Sequence, residues 1–156
     1  MKTLSMSLAA ALSVVVLGFA SPAVAQNADE IIGLAKAQWA AEDAKKPASE
    51  SMSTVADSYT EFNPVAPTLV EGKALASTFY EASLKGGDTG LVSEMLNPHV
   101  QFYGDTAILT YNYMGMTKDK DGKVSPNLAK STRVYAKMGG KWMLVHANFG
   151  AVVVPN

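Results

Sequence analysis

The sequence contains no cysteine, a single arginine (Arg133) and only two histidines (His99 and His146). Without cysteine, the chain cannot form disulfides, use a thiol nucleophile or attach a lipid through an N-terminal cysteine. Two histidines without ligand spacing do not make a zinc site. A net charge of −1 with no basic stripe argues against nucleic acid as a partner. We therefore expect no metal and no cofactor.

Long apolar runs are scarce, and the one that is present lies at the N-terminus. Lys2 precedes an apolar run at 8–20, and A-V-A at 23–25 fits a signal peptidase site. The run is shorter than the ~20 residues needed to span a bilayer. We predict a secretory signal peptide over residues 1–25 and a single domain over residues 26–156, with no membrane segment after cleavage. Export without disulfides favours a periplasmic location, or otherwise secretion.

Helical patterns come first in the chain and strand patterns follow. The Asn27 cap and the apolar spacing after it predict a first helix. Helices are predicted over residues 27–46, 48–55 and 72–85, and strands over 57–63, 69–71, 91–95, 100–103, 107–117, 128–138 and 141–154. This order predicts an α+β fold in which about three helices pack on one face of an antiparallel sheet.

The pair Gly139-Gly140 joins the last two predicted strands and sets their register. A two-residue Gly-Gly loop favours a tight hairpin, which places Arg133 opposite His146. Opposed residues share a face of the sheet. One face would then carry Arg133, Tyr135, Trp142, Leu144, His146 and Asn148, and the other Thr132, Val134, Ala136, Met143, Val145, Ala147 and Phe149.

Both faces of this hairpin carry substantial apolar surface. An antiparallel sheet with one wet face should alternate cleanly between apolar and polar residues, so we infer that both faces are covered. The helices can cover the face with Arg133, which has the mixed character of a pocket wall. A second copy of the chain would cover the other face. The predicted oligomer interface comprises Val134, Ala136, Met143, Val145 and Ala147.

Short motifs occur along the chain in the order typical of one family. They are F-N-P at 62–64, L-V-E-G at 69–72, L-N-P-H at 96–99, G-D at 104–105, T-R-V-Y at 132–135, G-K-W at 140–142 and V-H at 145–146. On these motifs, the chain resembles the association (hub) domain of calcium/calmodulin-dependent protein kinase II, within the nuclear transport factor 2-like superfamily. The resemblance covers residues 55–150, and no kinase domain is expected in this sequence.

The resemblance implies a cone: a strongly curved antiparallel sheet wrapped around helices, with a pocket inside. It also implies that subunits pair through their sheets, and that such dimers can form rings. Kinase hubs hold an acidic ligand with three pocket arginines, of which only Arg133 is present here. Tyr113 and Phe149 stand at the other two positions, and Ala76 stands where some hubs have a histidine. Strict alternation would place Phe149 outside the pocket, so its inclusion requires a β-bulge.

The candidate pocket residues each have a functional and a structural interpretation. Arg133 could bind a carboxylate or polar head through its planar guanidinium, or it could be a buried ion pair. His146 could be a general base or a hydrogen-bonded core residue. Strand tyrosines are usually core residues, but their hydroxyls can serve an oxyanion hole. The predicted ligand pocket comprises Arg133, Tyr113, Tyr111, His146, Tyr135 and Asn148; no catalytic residue is assigned.

Functions from different classes fit these features. The first is an exported, stand-alone, homo-oligomeric hub-like domain that binds a small, partly apolar ligand in its cone. The second is a cofactor-free isomerase, dehydratase or cyclase of the ketosteroid isomerase-like type, with Asp57, Glu61 or Asp105 as its acid. A carboxylate with a raised pKa beside a tyrosine inside the cone would favour the enzyme. A third is an association module with a vestigial pocket. Expected partners are the protein itself and a small molecule.

Overall fold

The structure, a computed structural model, describes residues 27–152. The predicted signal peptide and residues 153–154 of the last predicted strand lie outside this part of the chain. The elements in chain order are α1 (Ala28–Asp43), α2 (Ala48–Ser51), β1 (Val55–Phe62), β2 (Val70–Glu71), α3 (Lys73–Gly86), β3 (Thr89–Tyr103), β4 (Thr106–Lys118), β5 (Val124–Met138) and β6 (Lys141–Ala151).

The strands form one curved, unclosed six-stranded sheet in the order β2-β1-β6-β5-β4-β3. Neighbouring strands are antiparallel, except that β1 and β6 run parallel. Helix α1 packs against β3 and β4, and α3 packs against β1 and β2. The predicted α+β class, with N-terminal helices on a curved sheet, is confirmed.

Helix α1 begins where the sequence predicts and ends earlier. The Asn27 side chain accepts a hydrogen bond of 2.9 Å from the Asp29 amide, which caps the first turn. The helix was predicted to reach residue 46 but ends at Asp43, because Lys45 adopts a left-handed conformation with φ of 53°. Ile31 and Ala35 are fully buried and turn one face of the helix toward the sheet.

Several strands are longer than the sequence patterns predict. Val55, predicted to end the second helix, instead begins β1, where it pairs with Leu144 of β6. The two strands predicted on either side of 97–98 are one strand, β3, whose register shifts between Leu96 and His99. The predicted loop 119–127 is shorter, because the Asp119 side chain accepts amide hydrogen bonds that close a tight turn.

The register of the β5–β6 hairpin departs from strict alternation. Gly139 and Gly140 both have positive φ, at 57° and 81°, as a primed two-residue turn requires. Near the turn, the pairing is the one that a two-residue loop sets, with Lys137 opposite Trp142. Beyond the Tyr135–Leu144 pair the register shifts, so that Val134 lies opposite His146. Val145 is therefore an extra residue in β6, a β-bulge that reverses the facing of everything after it.

This bulge corrects the predicted hairpin faces. Arg133 lies opposite Ala147, so the predicted pairing of Arg133 with His146 is wrong. We call the face toward the helices the inner face and the opposite one the outer face. Ala147, predicted on the outer face with the other interface residues, is fully buried on the inner face, and Phe149 lies on the inner face too. His146 and Asn148 alternate with these two and belong to the outer face. The largest fully buried side chains of the core are Tyr135, Ile31, Leu109, Leu144, Val55 and Val70.

Candidate functional site

A cavity of about 490 Å³ lies between the two longer helices and the concave face of the sheet. Every second residue of β5 from Asn127 to Arg133 lines it, because alternate side chains of a strand point to one face. Phe149, redirected by the bulge in β6, completes this wall. The helices contribute Gln38, Trp39, Glu42, Asp43, Ala76, Phe79, Tyr80 and Ser83.

Arg133 stands in this wall and is only 2% exposed. Its Nε donates a 3.0 Å hydrogen bond to the Tyr111 hydroxyl, and its Nη1 donates a 2.7 Å bond to Gln38 Oε1. The guanidinium carbon lies 6.0 Å from the ring centre of Trp39 and 5.4 Å from that of Phe149. These contacts hold the guanidinium in one orientation and stabilise its charge by hydrogen bonds and cation–π attraction.

Gln38 connects Arg133 to a carboxylate. Its Nε2 donates a 2.9 Å hydrogen bond to Glu42 Oε1, one helical turn further along α1. Burial raises the pKa of Glu42 above its ordinary range, and the nearby positive charge of Arg133 opposes that rise. In residues 27–152, the one ion pair within 4.0 Å joins Lys46 to Glu50, so Arg133 and Glu42 form no direct ion pair and are bridged by the Gln38 amide.

A second carboxylate, Glu61, lines the cavity from β1 and is 8% exposed. It accepts a 2.7 Å hydrogen bond from the Tyr59 hydroxyl and a 3.0 Å bond from Asn63 Nδ2. Burial, followed by the charge of Glu61, raises the pKa of Tyr59 far above its usual range. Tyr59 therefore stays a neutral donor to Glu61 at any physiological pH.

Aromatic rings form the apolar part of the wall. Trp39 makes edge-on contacts with Tyr111 and Tyr113, with ring centres 5.5 and 5.3 Å apart. The Tyr113 hydroxyl lies 3.2 Å from the Ser93 hydroxyl. Its ring lies over Gly115, where an added Cβ would come within 2.5 Å of the Tyr113 oxygen. The glycine thus allows Tyr113 to lie along the strand beside Trp39.

The structure brings together only part of the predicted ligand pocket. Tyr111, Tyr113 and Arg133 line the cavity, and their role in binding stays a prediction. Tyr135 is 1% exposed in the core; burial raises its pKa, and the charge of Arg133 opposes the rise. The remaining two predicted pocket residues, His146 and Asn148, lie on the outer face, because the bulge at Val145 shifts the alternation of β6 by one residue.

On the outer face, His146 has partners of its own. Its Nδ1 lies 2.9 Å from the Thr60 hydroxyl, and its ring stands edge-on to Phe62 with centres 6.0 Å apart. Val134, Ala136 and Met143 of the predicted interface lie on this face and are half-buried. Val145 is also half-buried, at the bulge itself.

The sequence missed the polar part of the cavity contributed by α1. Gln38 and Glu42 are ordinary helix residues by pattern, and the available signal was their position beside Trp39, on the apolar face of the predicted helix. Of the three predicted acids, Glu61 lines the cavity, whereas Asp57 and Asp105 are exposed and do not. Within residues 27–152, no group of three or more acidic or histidine side chains could hold a metal ion.

The raised pKa of Glu42 predicts how stability depends on pH. The folded protein binds a proton at Glu42 more tightly than the unfolded chain does, so this contribution to stability is complete below the ordinary pKa of 4.5. It is lost as the pH rises through the higher folded-state value. Glu42→Gln can still accept the hydrogen bond from Gln38, so this variant should gain stability over wild type as the pH rises from 4.5 through the higher folded-state pKa of Glu42.

Urea unfolding of both proteins across that range measures the effect. Glu71→Gln removes the same charge from an exposed site outside the cavity and controls for net charge. A constant difference between wild type and Glu42→Gln at all pH values would contradict the prediction.

N-terminal helices packed inside a curved, unclosed sheet, with a cavity between them, are the fold of the nuclear transport factor 2-like class. A protein of this class from Pseudomonas putida superposes with a TM-score of 0.66 at 19% identity, covering 81% of this chain and 87% of its own. An association-domain structure from Xanthomonas campestris superposes with a TM-score of 0.68 at 23% identity, covering 81% and 89%. Both likenesses concern the fold.

Within this class, the sequence identifies the family. The profile of the calcium/calmodulin dependent protein kinase II association domain matches residues 27–151, and the chain belongs to that family. The delta subunit of the rabbit kinase, Oryctolagus cuniculus, is 34% identical over 100 residues. That match covers 62% of this chain and 19% of the rabbit protein, so the chain corresponds to about a fifth of that relative. Among residues 27–152, no helix is long and apolar enough to cross a membrane.

Proposed function

We propose that this protein is an exported, self-associating hub-like module that binds a small, partly apolar ligand in its cavity. The observation that carries the proposal is the cavity itself, which combines aromatic walls with the buried, hydrogen-bonded Arg133. Its volume of about 490 Å³ falls within the range of roughly 300–1,000 Å³ common for small-molecule sites. Export rests on the pattern of residues 1–25.

Family membership and the outer face of the sheet support self-association. Val134, Ala136 and Met143 present half-buried apolar side chains on the face that the helices leave uncovered. His146 and Phe62 extend that surface onto β1. A contiguous apolar surface of this kind is typical of an interface between subunits.

Native mass spectrometry of the purified protein tests the proposed assembly. We expect wild type to give a dimer or a multiple of dimers. Val134→Glu should give folded monomers, because a charge buried between two subunits without a partner costs several kcal/mol, or about a hundredfold or more in affinity. Val134→Thr keeps the shape without the charge and should still assemble. If Val134→Glu still forms an oligomer of the wild-type size, the outer face of the sheet is not the subunit interface.

The same spectra test the binding part of the proposal. A small mass that stays with the protein under gentle conditions and leaves on denaturation would support it and give the mass of the ligand. Arg133 and its aromatic neighbours predict that such a ligand would be polar at one end and apolar at the other.

A specific observation also supports the second candidate function, a cofactor-free isomerase, dehydratase or cyclase. Glu42 lines the cavity, and burial raises its pKa, which is the direction that acid–base catalysis near neutral pH requires of a carboxyl group. The hydroxyl of Tyr111, which is hydrogen-bonded to Arg133, lines the same cavity. An activity lost in Glu42→Gln and kept in Glu71→Gln would favour catalysis over binding alone.

A further inference from the structure

The charges that line the cavity are unequal. Glu42, Asp43 and Glu61 line it, whereas Arg133 is its one basic lining residue in the described part of the chain. Asp43 is exposed at the edge of the cavity, so inside it the ionised carboxylates of Glu42 and Glu61 face the single positive charge of Arg133. Among residues 27–152, no lysine or arginine lies within 4.0 Å of any of these carboxylates. The cavity is therefore an acidic environment despite its arginine.

Arg133 is already bound to protein groups. Nε and Nη1 donate to Tyr111 and Gln38, and two aromatic rings flank the guanidinium. Glu61 likewise accepts from Tyr59 and Asn63, but both of those donors are neutral. Buried carboxylates are normally paired with a positive charge. The half-buried Glu42 and the buried Glu61 both lack a lysine or arginine within 4.0 Å among residues 27–152.

The rest of the wall suits a cation as well. Trp39, Tyr111 and Tyr113 form a continuous aromatic cluster, and the faces of such rings attract ammonium groups. Ser131, on the same strand as Arg133, is 4% exposed, and its Oγ has no hydrogen-bond partner among residues 27–152. A hydroxyl oxygen can accept a hydrogen bond from an ammonium group.

We propose that the ligand of this cavity is a small organic cation, a protonated amine on an apolar body. The ammonium group would lie near Glu42 and Glu61, and the apolar body would lie against the aromatic cluster. This inference rests on the proposed function, because it names the chemical class of the ligand that the cavity binds. It departs from what the resemblance to kinase hubs implies, since only one of their three pocket arginines is present here.

Isothermal titration calorimetry of the full chain with three matched probes tests the inference. The probes are 2-phenylethylamine, 2-phenylethanol and 3-phenylpropionate, which share a ring and differ in charge. We expect the amine to bind about tenfold or more tightly than the alcohol, and the acid to bind most weakly. This comparison is made on wild type and does not depend on any variant folding.

Variants then locate the effect. Glu42→Gln and Glu61→Gln keep the shape and an acceptor oxygen, so each should weaken the amine about tenfold and leave the alcohol within about twofold. Glu71→Gln, outside the cavity, should change neither. Tighter binding of the alcohol or the acid would overturn the cation inference and leave a ligand-binding cavity. Failure of all three probes to bind at millimolar concentration would count against both proposals.

Discussion

Replacing Arg133 by alanine should lower the free energy of unfolding by about 3–5 kcal/mol. The guanidinium is 2% exposed and joins β5 to α1 through Gln38 and to β4 through Tyr111. Alanine would leave both partners without their donor, open a void beside Trp39, and remove the positive charge of Arg133 that acts on Glu42. Each of these losses is costly in a buried site, because water cannot replace the missing group well.

Two further variants separate the causes. Lys130→Ala changes an exposed residue on the same strand and should stay within about 0.5 kcal/mol of wild type. Arg133→Met keeps most of the volume and removes the charge, so it should cost about 1–2 kcal/mol less than Arg133→Ala. Equal denaturation midpoints for Arg133→Ala and Lys130→Ala would show that the guanidinium does not hold the cavity wall together.

Trp39→Ala should have the second large effect, a loss of about 3 kcal/mol in the free energy of unfolding. Trp39 contacts the rings of Tyr111 and Tyr113 and faces the Arg133 guanidinium, so it joins α1 to the sheet. The indole is half-buried, which places the expected cost at the low end of the range for tryptophan. Chemical denaturation measures it, and amide exchange should show that α1 loses more protection than β5.

The control for this prediction lies on the same helix. Lys36 is exposed, and alanine has a slightly higher helix propensity than lysine, so Lys36→Ala should leave the free energy of unfolding within about 0.5 kcal/mol of wild type. The double variant Trp39→Ala/Arg133→Ala should cost less than the sum of the two single changes, because the two side chains share one contact. Strict additivity would mean that the tryptophan and the arginine stabilise the fold independently.

The elements of this fold could be predicted from the sequence because their signals are local. Asn27 marks the start of α1, and Gly139-Gly140 fixes the hairpin turn through positive φ. Their ends depend on tertiary pairing, which local patterns do not contain. Val55 belongs to β1 because β6 lies beside it, although its neighbours in sequence favour a helix.

The candidate site was harder to predict, since its key contacts join distant parts of the chain. Arg133 and Gln38 are 95 positions apart and form one of the shortest hydrogen bonds of the cavity. A polar residue on a helix is assigned to solvent by default, so the one signal for Gln38 and Glu42 was their position on the apolar face of the helix beside Trp39. Family resemblance placed Phe149 in the pocket where strict alternation did not, and the structure has the bulge that this placement requires.

Because of the bulge at Val145, the lining of the cavity depends on whether an odd or an even number of residues separates each β6 residue from the hairpin turn, as well as on which residues they are. With the extra residue, β6 delivers a methyl group and a phenyl ring, Ala147 and Phe149, to the inside. Without it, the same segment would turn the imidazole of His146 and the amide of Asn148 inward. The gain or loss of one codon in β6, with no substitution at all, would thus replace the apolar wall of the cavity with one that contains a titratable imidazole. The outer surface would gain the apolar side chains that the cavity loses.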